Sequence, residues 1–381
     1  MSEPFLRRLR ETLDERASRG LLRRTVARQA DDPRVNLADN DYLALSRHPD
    51  ILAAAAAALR QWGASAAASP LVTGYTELHA ALEAELARWH RYPHALVMNS
   101  GFAANGAVLG GLPKAGDLVL ADRLIHASMI EGILRSGARF RRFAHNDLDA
   151  LEVMLAEAAG HAGQVFVATE SVYSMDGDAP DLARLAALRE RHGFTWVLDE
   201  AHATGWHGAT GSGLQEEQGV AGAADIVVGT LGKGLGSQGA YVLSRAPEVR
   251  ETLVNFAGEF VYSTHLAPPA AAAALAAIGV ARSLADERPR LHALSRDWRR
   301  GLAEAGFAAP DGHSPVIPLV LGAPERTLRA AEALRAGGFL VSAIRPPTVP
   351  DGTSRIRISL RRGLRESARE AFLAVLKGAA L

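Results

Sequence analysis

Lys233 stands in the stretch VVGTLGKGLGSQGAYVLS (227–244), one lysine among five glycines. A lysine in a crowded loop can serve as a nucleophile or base when its surroundings favour the neutral amine, and glycines leave room for a ligand against the backbone. Some thirty residues earlier, DEAH (199–202) sets an acid, Asp199, three positions before His202. Two phosphate loops fail on their residues. A Walker A loop needs a hydroxyl after its lysine, and Gly234 is there instead. Gly234, Gly236 and Gly239 spell G-x-G-x-x-G, but AYVLS follows, and it alternates like a strand where a dinucleotide site needs a helix. DEAH also occurs in nucleic-acid ATPases, which need a Walker A loop. A glycine hairpin with a solvated lysine is the plainer alternative.

The elements that must position these residues follow from periodicity. Helices are expected over 3–27, 51–62, 77–91, 147–159, 182–192, 326–336 and 366–376, with a long helical stretch after HLAPPAAAA (265–273) to about 306. Strands are expected at ALVMN, DLVLA, QVFVA, FTWVL, DIVVG and AYVLS, then at SPVIPLVLG, FLVSAI and RIRISL. Apolar strands alternating with helices predict an α/β fold with a mostly parallel sheet covered by helices. The expected divisions are an N-terminal helical segment (1–45), a large α/β domain (46–268) and a smaller α+β C-terminal domain (269–381).

Ligands in such sheets bind at the carboxyl ends of the strands. ALVMN leads there to Ser100, Gly101 and Phe102, and DLVLA to His126. QVFVA leads to Glu170 and Ser174, FTWVL to Asp199 and His202, and DIVVG to Thr230 and Lys233. One lysine, an acid, two histidines, hydroxyls and a helix start meet the needs of pyridoxal phosphate. Lys233 would form its Schiff base and Asp199 would keep its ring nitrogen protonated. His202 would bond the ring oxygen and His126 would stack on the ring. The phosphate would sit on the N–H groups of Gly101 and Phe102 with Thr230. Taken singly, Asp199 and Ser100 can be helix caps, His126 a satisfied histidine and Arg345 a surface residue. No set of residues with metal-ligand spacing competes, so no metal is expected.

The bulk composition narrows the partners. The 381 residues carry 42 basic and 42 acidic side chains, which gives no electrostatic case for nucleic acid or a membrane surface. There is no cysteine, so disulfides and thiolate chemistry are excluded. No apolar run approaches the ~18 residues of a membrane helix, and the first twenty residues lack the apolar core of a signal peptide. A cytoplasmic protein is expected.

The motifs LADNDYLALS, SGFAANGAVL, DRLIHAS, RRFAHND, ESVYSMDGD, LDEAHATG, GTLGKGLGSQGA, VYSTHLAPP and AIRPPTVPDGTSRIRISL run through nearly the whole chain. Together they resemble the fold-type I pyridoxal-phosphate enzymes, and within them the α-oxoamine synthases, which condense an amino acid with an acyl thioester and release carbon dioxide. AIRPPTVP and RRFAHND look most like the member of biotin synthesis that joins L-alanine to a pimeloyl thioester, carried on acyl carrier protein or coenzyme A. The resemblance assigns Lys233, Asp199, His202 and His126 to catalysis. It adds Ser100, Gly101, Phe102, Ser174 and Thr230 as cofactor contacts, and Arg23, Asn40, Arg345 and Thr348, with His126, at the substrate. It also implies a homodimer, in which Ser263 and Thr264 reach the partner's phosphate. Two stretches depart from the family: ASAAASPLVTG with Pro70, and Trp206-His207 where small aliphatic residues are usual.

Overall fold

The runs HALVM, LVLAD, TWVLD, IVVGT and AYVLS each form a strand buried along nearly its whole length, the pattern of a sheet covered on both faces. The computed structural model describes residues 1–379 and divides into two compact units, Met1–Asp39 with Ala293–Leu381, and Asn40–His292. The expected cut at 268/269 falls inside the second unit.

In chain order, the first unit opens with α1 (Glu3–Ser18) and β1 (Val35–Asn36). The second unit follows with α2 (Pro49–Trp62), α3 (Glu77–His90), β2 (His94–Met98), α4 (Gly101–Gly111), β3 (Leu118–Asp122), α5 (Ala127–Ser136) and β4 (Arg139–Phe143). It continues through α6 (Leu148–Glu157), β5 (Val165–Glu170), α7 (Leu182–His192), β6 (Thr195–Asp199), α8 (Leu214–Glu217), β7 (Ile226–Thr230) and β8 (Ala240–Ser244). After these come α9 (Pro247–Phe256), α10 (Gly258–Val261), α11 (Pro268–Ser283) and the start of α12 (Arg288–Glu304). The sheet order is β2-β8-β7-β6-β5-β3-β4. Only β8 is antiparallel to its neighbours, so β2, β3, β5, β6 and β7 all end on one edge. The parallel strands, covering helices and strand-end placement are those of the fold-type I pyridoxal-phosphate enzymes.

Local signals place the helices at that edge. Ser100 accepts from Ala103 N and starts α4, and His126 Nδ1 accepts from Ser128 N and starts α5. Asp181 caps α7, and Gly193, at φ 69°, ends it. The helix expected over 3–27 stops at Ser18, where Arg19 and Gly20 (φ 64°) turn the chain. The long helix expected to about 306 is two, α11 and α12, broken at 284–287. Strand β4, sequence RFRRF, was not among the expected strands, because its side chains give no apolar alternation; it pairs only with β3, at the sheet's edge.

The rest of the first unit holds β9 (Val316–Gly322), α13 (Pro324–Ala336), β10 (Phe339–Leu340), β11 (Ser342–Ile344), β12 (Ser354–Ser359) and α14 (Glu366–Gly378). β11, β12 and β9 form an antiparallel sheet, and β1 pairs in parallel with β10. Leu37 donates to Leu340 O at 2.9 Å and accepts from Ser359 N at 2.8 Å, so residues 35–37 are built into this unit although they are far from it in sequence. Buried Phe372 packs tilted against Trp298 and edge-on to Phe339.

Among the described residues, no single helix is long and apolar enough to cross a membrane.

Two buried histidines and one half-buried histidine of the second unit give its stability a pH dependence. Burial pushes His90 and His265 down to about 3. Their unfolded forms gain a proton near pH 6.5, so stability falls as pH drops from 6.5 toward 3. His145 runs the other way. Burial disfavours its charge, but hydrogen bonds to Asp122 (2.9 Å) and Asp178 (2.8 Å) raise it to about 10. Its contribution is complete below pH 6.5 and is lost as pH rises toward 10. The thermal midpoint is therefore expected to be highest near neutrality, and His145→Gln is expected to flatten the alkaline side alone. Melting curves from pH 5 to 10 check this; a wild-type midpoint still climbing between pH 7 and 9 would refute it.

Candidate active site

Strand β6 ends at Asp199, which is paired in register with Glu170 on β5 and Val228 on β7. The Asp199 carboxylate is buried and held at both oxygens. Asn105 Nδ2, from α4, donates to Oδ2 at 2.8 Å, and Ala201 N donates to Oδ1 at 2.9 Å. Glu170, one strand over, is buried as well. Burial first, then the charge of Asp199, raises its pKa well above the usual carboxyl range, while its carboxyl accepts from the backbone N–H groups of His126 and Ser174. Two adjacent buried acids cannot both ionise at little cost, and Glu170 is the one held neutral.

Lys233 Nζ lies 2.9 Å from His202 Nε2, and His202 Nδ1 lies 2.6 Å from the hydroxyl of Tyr42. Tyr42 in turn reaches Asn40 Oδ1 at 3.1 Å. One assignment of protons satisfies the whole chain: Lys233 donates to Nε2, Nδ1–H donates to the phenol oxygen, and the phenol donates to Asn40. Tyr42 is fully buried, with Trp206 edge-on to its ring at 6.3 Å and 76°. Trp206, one of the two departures from the family, thus packs behind the tyrosine that fixes His202. The other departure, 64–74, contains a single wide turn at Pro70–Gly74, pinned by Gly74 N to Ser69 O (3.0 Å) and His265 N to Ala68 O (2.9 Å).

The glycines beside Lys233 have a different reason from the one expected. A Cβ on Gly234 would stand 2.4 Å from the Thr204 carbonyl oxygen, and one on Gly236 (φ 61°) 2.4 Å from Ser46 N. They make room for the protein's own backbone, which wedges the lysine loop against residues 46 and 204.

Gly101, Phe102, Asn105, His126, Glu170, Asp199, His202, Thr230 and Lys233 line one cavity of about 180 Å³. His126 Nδ1 is 2.7 Å from Ser128 Oγ, and burial, partly opposed by the charge of Asp199, lowers its pKa, so it is neutral at pH 7. A Cβ on Gly101 would meet Thr230 Cγ2 at 2.8 Å, which keeps the start of α4 open to the cavity at backbone level. The first-turn N–H groups of Gly101 and Phe102 are not used by the helix itself. A lysine, a doubly anchored acid, a ring-oxygen partner and an anion-binding helix start therefore meet around one space. This donor set fits pyridoxal phosphate.

Ser100 and Ser174 flank the cavity, as the cap of α4 and next to the Glu170 carboxyl. Ser263 Oγ and Thr264 O accept from Asn99 Nδ2 at 2.9 and 2.7 Å, beside the start of α4 and outside the cavity lining. Arg23, Arg345 and Thr348 belong to the first unit. There Arg23 Nη2 donates to Thr348 Oγ1 at 2.8 Å, and Arg345 donates to the carbonyls of Gly20 and Leu22. Burial, then the charges of Arg23 and Arg335, lowers the Arg345 pKa. Residue types and spacing did not single out Asn105, Tyr42 and Ser128. Asn105 was the most accessible of these, one helical turn beyond Gly101.

The profile of the family Aminotransferase class I and II matches residues 32–376. An 8-amino-7-oxononanoate synthase of Anaeromyxobacter dehalogenans is 46% identical over 342 residues, covering 90% of this chain and 85% of the relative. The chain belongs to the 8-amino-7-oxononanoate synthase family. Among solved structures, serine palmitoyltransferase from S. paucimobilis with bound PLP–myriocin aldimine superposes with a TM-score of 0.91 at 27% identity, over 97% of this chain and 96% of that one. An 8-amino-7-oxononanoate synthase from Francisella tularensis superposes with a TM-score of 0.79 at 27% identity, over 91% and 98%. Membership makes this a pyridoxal-phosphate-dependent, acyl-transferring enzyme with α-oxoamine synthase activity.

Tyr42→Phe removes the group that fixes His202 Nδ1 and leaves a buried nitrogen without that partner, a loss of about 1–3 kcal/mol. Pyridoxal phosphate is expected to dissociate at least ~5-fold more readily from this variant, read from the visible absorption after dialysis. Retention equal to wild type would show that Tyr42 does not position His202.

Proposed function

We propose that this enzyme condenses L-alanine with a pimeloyl thioester, releasing carbon dioxide and the free carrier thiol, to give 8-amino-7-oxononanoate for biotin synthesis. The observation that carries this reading is the convergence of Lys233, His202 and Asp199 on one cavity, in a chain 46% identical to a synthase of that name. Bound pyridoxal phosphate supplies an electron sink for the α-carbon of the amino acid. Asp199, fixed by Asn105, pairs with its ring nitrogen, and His202, fixed by Tyr42, with its ring oxygen. Gly101, Phe102, Ser174 and Thr230 hold its phosphate, and Ser100 sets the helix start that presents those N–H groups. His126, neutral and lining the cavity, would stack on the ring and could donate a hydrogen bond to the thioester carbonyl oxygen as charge builds there.

Lys233 holds the cofactor through Nζ. When its amine is free, Lys233 would accept the α-proton of the amino acid at Nζ, which His202 Nε2 holds at 2.9 Å. Arg345 offers a planar fork for a carboxylate, and Arg23, Asn40 and Thr348 complete the substrate end. Ser263 and Thr264 serve the partner's phosphate in a homodimer, and the enzyme works in the cytoplasm. The carrier is an acyl carrier protein or coenzyme A.

A synthase that takes glycine instead differs by one methyl pocket, worth about 1–3 kcal/mol. An aminotransferase would hand on the amino group and release no carbon dioxide. Turnover with L-alanine and pimeloyl-CoA or pimeloyl-carrier protein is expected to release one carbon dioxide per thiol, faster than with glycine. Lys233→Ala is expected to lose at least ~10²-fold of it. Near-normal turnover by Lys233→Ala would contradict the mechanism, and glycine outcompeting alanine would contradict the substrate.

A further inference from the structure

Outside the cavity, the second departure from the family, His207, meets two residues that nothing above employs. His207 Nδ1 lies 3.0 Å from Glu217 Oε2, on the four-residue helix α8. His292 Nε2, in the first turns of α12, lies 3.9 Å from the same oxygen. The three ligand atoms all lie within 4.8 Å of one another. Neighbouring ligands of a tetrahedral zinc ion, with bonds near 2.0–2.1 Å, stand roughly 3.3 Å apart. The two measured separations bracket that edge.

The surroundings suit a cation. The side chains of His207, Glu217 and His292 keep 3%, 23% and 16% of their accessible surface, so the group is largely screened from solvent. Gly208 N donates to Glu217 Oε2 at 3.1 Å and orients the carboxylate. His292 Nε2 is also 3.0 Å from the Trp206 carbonyl oxygen, a bond it would exchange for the metal. Two imidazoles and one carboxylate are ligand types of a zinc-class site. No spacing signal marks the group in the sequence, because Glu217 and His292 lie 10 and 85 positions beyond His207.

The geometry points to a divalent zinc-class metal site formed by His207, Glu217 and His292. The ion fastens the loop after Trp206 to the start of α12. Since Trp206 packs on Tyr42, and Tyr42 holds His202, the site braces the active site from behind without taking part in the chemistry.

The test uses untagged holoenzyme stripped with EDTA and titrated with Zn²⁺ by calorimetry. One Zn²⁺ per chain is expected to bind and raise the thermal midpoint. Glu217→Gln and His292→Gln, each confirmed folded by circular dichroism, are expected to bind at least ~10-fold more weakly and to lose the midpoint shift. No Zn²⁺ binding by wild type, or binding that neither substitution weakens, would overturn the site. Pyridoxal phosphate can itself chelate metal, and binding of that origin survives both substitutions.

Discussion

The contact between Lys233 Nζ and His202 Nε2, 2.9 Å long in a half-buried cavity, is the constraint around which the second unit is organised. A lysine amine held there needs an acceptor, and an imidazole can accept at Nε2 only if its other nitrogen carries the proton. Tyr42 settles that at 2.6 Å, Asn40 settles the tyrosine, and Trp206 fills the space behind it. On the lysine's own side, Gly234 and Gly236 let the loop lie directly on the backbone at residues 204 and 46. The lysine is therefore held by a packed and hydrogen-bonded frame in place of a flexible hairpin.

The sheet supplies the second half of that frame. Parallel strands deliver their last residues to one edge, so an acid on β6, an acid on β5 and a hydroxyl on β7 arrive at that edge without further design. Environment then separates the two acids. Asp199 is held by donors at both oxygens, while Glu170, more deeply buried and beside a charge, keeps its proton and ties the starts of two loops through the N–H groups of His126 and Ser174.

Much of this was legible in the sequence, for physical reasons. Fully buried strands show as unbroken apolar runs, a helix cap as Ser100, and strand-end chemistry as residues just after each run. What was not legible depends on long-range contact. Tyr42 and His202 are 160 positions apart, and nothing local marks the first as the partner of the second. Strand β4 hides behind its arginines because an edge strand need not alternate. The joining of residues 1–39 with the C-terminal part rests on backbone pairing at Leu37 and β1, which composition does not reveal. The lysine-loop glycines were visible, but their reason was not, since a close approach to Thr204 leaves no trace in local pattern.

The chain has three lysines, Lys114, Lys233 and Lys377, so one measurement isolates the central claim. Holoenzyme is reduced with borohydride, digested, and its peptides are weighed. The account predicts a phosphopyridoxyl group on the peptide containing Lys233 and on no other. The same group on Lys114 or Lys377, or on no peptide of a pyridoxal-phosphate-saturated protein, would contradict it.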